Sequence, residues 1–214
     1  MEIVHFFLDL LKDPYTALNQ FISQYDTFTY VILFLIVFVE TGLIIMPLLP
    51  GDSLLFAAGA LAATTGKLDV AIIIPMLIGA ALLGDNVNYF VGKYFSSFIK
   101  SRERILFFKR QYITETEAFY EKHGGRTVIL ARFVPIVRTI APFVAGAGSM
   151  QYPKYILFCV LGAVLWVTSI TLLGYQFGQL EVVKKNFELV VLGIVGLSVL
   201  PMVWQIVKIK VLKK

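Results

Sequence analysis

Five ionisable side chains, Glu40, Asp52, Asp85, Arg132 and Arg138, lie in or beside apolar stretches of a chain that is otherwise poor in charge. Two converging guanidiniums suit a phosphate, whose oxygens accept planar, bidentate hydrogen bonds better from arginine than from lysine. Nearby glycines let the backbone come close to such an anion, and the N-termini of half-helices add favourable dipoles. Carboxylates inside a membrane are protonatable groups that can couple a cycle to a proton gradient. An anion grip beside a proton relay is a transporter's inventory. Each such charge costs about 2.5–3.5 kcal/mol at the centre of a membrane helix on insertion scales, so it is kept where it faces a cavity, pairs or moves charge.

Spacing says what must position them. Arg132 and Arg138 stand in "LARFVPIVRTIAPFVAG", residues 130 to 146. On an unbroken helix they would point about 240° apart, at roughly 100° per residue. Pro135 between them, with Pro142 beyond, lets the backbone turn so that both converge. Glu40 and Asp52 are likewise separated by Pro47, Pro50 and Gly51, which argue for a broken helix or hairpin. Plainer roles stand beside these. Asp52 or Ser53 can cap the helix that begins at "SLLFAAGALAA", and the arginines can snorkel to the interface. Asp85, with Asn86 and Asn88, can form an interhelical hydrogen-bond cluster.

The composition is that of a polytopic membrane protein: of 214 residues 58% are hydrophobic and 15% charged, and the mean hydropathy is +0.80. The net charge of +5 reports topology here, with no nucleic-acid signature. Cys159 is the single cysteine, which excludes a disulfide framework or a cysteine zinc site and reads as packing. No metal site and no cofactor are implied. The N-terminus lacks a basic region and a small-residue cleavage site, so it does not read as a secretory signal; residues 2 to 11 suit a short amphipathic surface helix.

Full spans are expected at Val70 to Gly92, Tyr155 to Phe177 and Phe187 to Val207. "FAAGALA" at 56 resembles "FVAGAGS" at 143, "IGAALL" at 78 resembles "LGAVLW" at 161, and these spans end in "GKYF" at 92 and "GYQF" at 174. Each copy therefore reads as a proline-broken element, a small-residue helix and one span, a pattern that points to the binding site in transporter-like folds. If each broken element is re-entrant, the single intervening span sets the copies in opposite orientations. The segment 93 to 126 holds eight lysines and arginines and the tail adds Lys208, Lys210, Lys213 and Lys214, whereas the other side carries only Lys67, Lys184 and Lys185. The basic side, with the C-terminus, is expected in the cytoplasm. The side of the N-terminus stays open, because residues 28 to 50 can also be read as a full span.

The expected fold is thus an all-α polytopic membrane protein, an inverted repeat of two re-entrant helical hairpins with transmembrane helices and an amphipathic N-terminal helix. It forms one membrane domain over 1–214, with repeat 1 at about 28–95, repeat 2 at about 112–178 and a C-terminal transmembrane helix at about 187–207.

"ETGLIIMPLLPGDSLLFAAGALA" (40 to 62) and "FYEKHGGRTVILARFVPIVRTIAPFVAGAGSM" (119 to 150) resemble the two signature regions of the bacterial DedA family, the SNARE-associated or VTT-domain membrane proteins. The resemblance covers nearly the whole chain, and "PGDSLL" with "RFVPIVR" is a specific pairing. It implies opposed re-entrant hairpins meeting in mid-membrane, and lipid translocation: return of undecaprenyl phosphate across the bacterial inner membrane, or phospholipid scrambling as in eukaryotic relatives. It also carries family roles onto Glu40 and Asp52 as the acidic pair and Arg132 and Arg138 as the basic pair.

The leading expectation is a non-enzymatic transporter of a lipid phosphate: Arg132 and Arg138 hold the headgroup, and Glu40, Asp52 and Asp85 handle protons. Partners are then a membrane lipid and protons, with a homo-oligomer left open. The alternatives are a proton-coupled exporter of small cations, a phospholipid scramblase supporting envelope integrity, and a scaffold whose charges only pair among themselves. The scaffold predicts that swapping the charges of Glu40 and Arg132 preserves function. A phosphatase would need a nucleophile with a base, or a metal cluster, but His5 and His123 lie in the N-terminal segment and in polar "EKHGG". The basic "SRERILFFKRQY" reads most simply as a surface segment drawn to anionic lipid.

Overall fold

The computed structural model describes residues 14–25, 28–43, 51–100, 104–105, 108–109, 126–133, 135–148, 150–181, 183, 189–190 and 193. The described chain is helical apart from one small hairpin. Its elements are α1 (Pro14–Tyr25), α2 (Phe28–Gly42), α3 (Gly51–Thr65), α4 (Val70–Lys100), β1 (Arg104–Ile105), β2 (Phe108–Lys109), α5 (Arg126–Ala131), α6 (Pro135–Ala147) and α7 (Tyr152–Phe177). The strands pair antiparallel, Arg104 with Lys109 and Ile105 with Phe108, inside the basic segment where no strand was expected. The amphipathic helix at 2–11, Pro47, Pro50 and most of the final span at 187–207 lie outside the described residues.

Among the described residues two helices are long and apolar enough to cross a bilayer. They are Val70–Tyr94, with mean hydropathy 2.0, and Tyr152–Phe177, with 2.5, and only 33% of each is buried in the protein. The outward positions are apolar too, among them Leu83, Val87, Leu157, Leu161, Leu165 and Leu173. A helix that is apolar all round and covered on one side suits lipid on the other. Local chemistry sets the ends. Thr64 and Thr65 return their hydroxyls to the Ala60 and Leu61 carbonyls (2.9 and 2.7 Å), and Gly66 takes φ of 64°, which stops α3. Asp69 caps α4 by accepting the Ala71 N–H at 2.8 Å. Pro135 is the first residue of α6, where its missing N–H costs nothing.

The chain divides into two compact units, each assembled from separated segments. The first contains the residues up to Ile36, Leu48–Leu77 and the chain from Val167 onward; the second contains Val37–Pro47 and Ile78–Trp166.

In the first unit α3 is buried from Gly51 to Ala62. A side chain on Gly59 would strike the Thr171 carbonyl and the Tyr175 amide of α7, and one on Gly174 would strike the Phe56 carbonyl. The second unit repeats the pattern. A side chain on Gly146 of α6 would strike the Tyr89 carbonyl and the Lys93 amide of α4, and one on Gly92 would strike the Phe143 carbonyl. Each unit therefore crosses the short helix of one sequence copy with the long helix of the other, backbone against backbone, as small residues permit in membrane helices.

Candidate functional site

The second unit holds four of the buried charges, Glu40, Asp85, Arg132 and Arg138. α2 and α4 cross at Gly42 and Gly84, where a Cβ on Gly84 would collide with Thr41 and the Phe38 carbonyl. That approach, made possible by two glycines, brings Glu40 and Asp85 into one buried region, both only 1% exposed. Asn88, one turn beyond Asp85, donates its amide to the Thr41 carbonyl at the end of α2. It thereby occupies one of the carbonyls that a helix C-terminus leaves without an intrahelical partner.

The arginines come from the other side of this unit. α5 ends at Ala131, Arg132 lies in the turn that follows, and Arg138 is on the first turn of α6. Arg132 donates from Nη2 to Asp85 Oδ2. Arg138 donates from Nη2 to Glu40 Oε1 at 2.7 Å. All four side chains are at most 4% exposed, so these are buried ion pairs, for which loss of one partner leaves an uncompensated charge. Both guanidiniums also lie over the ring of Trp166: Cζ of Arg138 is 4.4 Å and Cζ of Arg132 5.7 Å from its centroid.

Around Asp85 the polar contacts continue. The Cys159 thiol donates to Oδ2 at 3.2 Å, and Arg132 Nη2 is 3.6 Å from the same sulfur. Tyr155 donates its hydroxyl to the Asp85 carbonyl at 3.1 Å, and its ring stacks on Tyr89 at 4.4 Å. Tyr89 donates to the Met150 carbonyl at 2.6 Å. Asp85 Oδ1 and Arg132 Nε are buried with no protein hydrogen-bond partner. The Asp85–Arg132 pair thus keeps acceptor and donor capacity to spare in a place where burial makes an unsatisfied polar atom costly.

Among known proteins, a family model described as the VTT domain matches residues 49–176. The chain belongs to the VTT-domain family, that of the DedA proteins. Protein DedA of Escherichia coli (strain K12) is 46% identical over 211 residues, 98% of this chain and 96% of that protein. An uncharacterized membrane protein of Mycobacterium leprae (strain TN) is 45% identical over 166 residues, 78% of this chain and 74% of its own length. The inner membrane protein YqjA of Escherichia coli (strain K12) is 33% identical over 156 residues, 73% and 70% of the two chains. No solved structure matches. This is a VTT-domain membrane protein, and the matched segment contains Asp52, Asp85, both arginines and Trp166.

Within this VTT-domain chain the residues singled out by sequence fall out unevenly. Glu40, Asp85, Arg132 and Arg138 share the second unit. Asp52 belongs to the first unit, buried in the first turn of α3 that Gly51 begins, where a negative charge suits the helix dipole. Pro142 requires a correction: it was expected to break the second element, yet α6 runs through it to Ala147. Proline removes one i→i−4 hydrogen bond, which the buried α6 tolerates without ending, as membrane helices often do. Cys159 packs as expected, in a buried cluster with Tyr89, Val128, Ala145 and Tyr155, and its thiol is in addition a hydrogen-bonding neighbour of the Asp85–Arg132 pair. The informative charge swap also changes, since Glu40 pairs with Arg138 and not with Arg132.

Trp166, Thr41 and the Gly42–Gly84 crossing carried no assigned role in the sequence, whereas the interhelical hydrogen bonding read for Asp85, Asn86 and Asn88 is seen in the bond from Asn88 to Thr41. The available signal was the glycine directly beside Asp85 and two residues after Glu40, in "GDN" and "ETG".

Proposed function

We propose that this chain translocates a lipid phosphate across the bacterial inner membrane, with undecaprenyl phosphate as the lipid and the proton gradient as the coupled force. What carries this reading is that two buried arginines are each held by a buried carboxylate, Glu40 with Arg138 and Asp85 with Arg132. A phosphate is the chemical competitor of those carboxylates for the guanidinium edge. As the headgroup takes a guanidinium, the displaced carboxylate loses its counter-ion and becomes the group that accepts a proton; the reverse exchange releases proton and lipid. The isoprenoid tail stays in the bilayer beside the apolar outer faces of α4 and α7. Asp52 supplies a third carboxylate for proton transfer. In this reading the sequence copies form an inverted repeat of re-entrant elements within one membrane domain, with the C-terminus in the cytoplasm.

The test is reconstitution into liposomes with headgroup-labelled undecaprenyl phosphate, with and without a pH gradient. Wild type should translocate, Arg132→Ala should abolish translocation, and Glu40→Gln should remove its dependence on the gradient. A folded wild type that moves no label under either condition sinks the proposal.

That each arginine already has a buried carboxylate partner favours a second reading, a membrane scaffold in which the charges only hold helices together. The double variant Glu40→Arg with Arg138→Glu decides between them. A scaffold keeps its cellular function with the pair reversed, whereas a transporter with its cation moved from α6 to α2 loses flux even if it folds.

A further inference from the structure

Arg132 is held by Asp85 and Arg138 by Glu40, and both guanidiniums share Trp166. A guanidinium uses its edge for hydrogen bonds and its face for stacking. The carboxylates occupy the edges. The indole contact is of another kind, with Cζ of each arginine lying over the ring face, and it draws on the ring quadrupole and not on the N–H groups that an anion takes. Trp166 itself is fully buried, which strengthens a cation–π contact relative to an exposed one. It is also the last residue of the second unit, on α7 seven residues after Cys159, so the helix that carries the indole carries the thiol beside Asp85 as well.

Two cations brought close together repel each other. While Glu40 and Asp85 are bound, that repulsion is neutralised pair by pair. During an exchange of carboxylate for phosphate it is not, and the guanidiniums need an attraction that outlasts the exchange. We propose that Trp166 is a positioning residue of the anion site: its indole is the constant partner that keeps Arg132 and Arg138 together while their edges pass from carboxylate to phosphate. This rests on the lipid-phosphate reading and adds to it a residue that touches neither the phosphate nor a proton.

The chain has two tryptophans, so Trp204→Phe leaves Trp166 as the sole indole emitter. That variant, full length in nanodiscs, is titrated with farnesyl phosphate, farnesol and inorganic phosphate while Trp166 emission is followed. Farnesyl phosphate should change the emission saturably and farnesol should not. A response to inorganic phosphate as well would mean that the site recognises the headgroup without the chain, which also supports the role of the indole. Trp166→Leu should weaken binding of the phosphate about tenfold or more and Trp166→Phe about threefold, following the loss of ring quadrupole.

Because Trp166→Leu removes a large buried side chain, incorporation of mono-, di- and trifluorotryptophan provides the second arm. These keep the ring's shape while draining its quadrupole, so affinity should fall stepwise with each fluorine. Affinity independent of fluorination, with Arg132→Ala and Arg138→Ala still abolishing binding, overturns the role of Trp166 and leaves the anion site standing. Absence of any binding to wild type overturns both.

Discussion

The two units are built on the same crossing and loaded differently. In the first, Gly59 of α3 faces the Thr171 carbonyl of α7 and Gly174 of α7 faces the Phe56 carbonyl of α3; in the second, Gly146 of α6 faces the Tyr89 carbonyl of α4 and Gly92 of α4 faces the Phe143 carbonyl of α6. Seven residues, nearly two helical turns, return a side chain to almost the same helix face. Seven before each glycine the first unit has Asp52 on the short helix and Val167 on the long one, and the second has Thr139 on the short helix and Asp85 on the long one. All four are buried. The backbone frame is therefore indifferent to polarity, and the carboxylate changes helix between the units. Val167 fits its buried place without a partner, whereas Asp85 requires Arg132, Cys159 and the aromatic layer of Tyr89 and Tyr155.

The most severe way to break the comparison is at the crossings themselves. Gly59→Leu and Gly146→Leu should each prevent accumulation of folded protein, because the added atoms meet backbone on the facing helix and not a movable side chain. Size-exclusion profiles of detergent-extracted fusions check this, and equal sensitivity in the two units is expected.

Next in size is the load on the long helices. Asp85→Leu alone should cost about 3–5 kcal/mol because Arg132 is left buried without its counter-ion. Val167→Ala in the first unit should cost only the smaller penalty of a cavity the size of two methyl groups, about 1–2 kcal/mol. The double variant Asp85→Leu with Arg132→Leu should recover most of the stability lost by the single variant, yet show no lipid-phosphate flux. Thermal unfolding in micelles and the liposome assay separate the two effects; if the double variant transports, the Asp85–Arg132 pair is structural alone.

Cys159→Ala sharpens the comparison more gently. It removes one thiol donor from Asp85 and should lower stability by about 1 kcal/mol. Cys159→Ser, which keeps a donor, should restore it by the same unfolding measurement. The smallest effect is expected in the first unit, at Thr171, which stands three residues before Gly174 as Tyr89 stands before Gly92. Its hydroxyl is buried with no hydrogen-bond partner, so Thr171→Val should be neutral or stabilise by up to about 1 kcal/mol. A clear loss of stability there would show that the first unit's polar atoms also have partners that matter.

Much of the frame was legible because its causes are local. Long apolar runs with Lys/Arg-rich flanks mark spans whatever they pack against, and the spans Val70–Tyr94 and Tyr152–Phe177 appear within a few residues of the expected bounds, although α4 continues as helix to Lys100. Pro135 between Arg132 and Arg138 announced the turn that separates α5 from α6. Pro142 did not break its helix, since a proline's cost can be absorbed when the surrounding packing holds the helix on both sides. The hairpin of Arg104–Ile105 with Phe108–Lys109 was not legible either, because pairs of two-residue strands leave no period to detect.

The amino-acid order by itself determined that this is a membrane protein of the VTT-domain family, where the spans in α4 and α7 run, and which five charges had to be explained, since hydropathy and motif are properties of contiguous residues. It also named the glycines, without their partners. Only the tertiary structure decided that Glu40 pairs with Arg138 across 98 residues and Asp85 with Arg132 across 47. Only there did Trp166 come to lie against both guanidiniums, and Asp52 fall in a different unit from Glu40. The physical reason is that buried charges choose partners by distance in a medium that screens poorly. Distances between residues far apart in the chain are set by which helices can touch, and here the glycines at the three helix crossings set that.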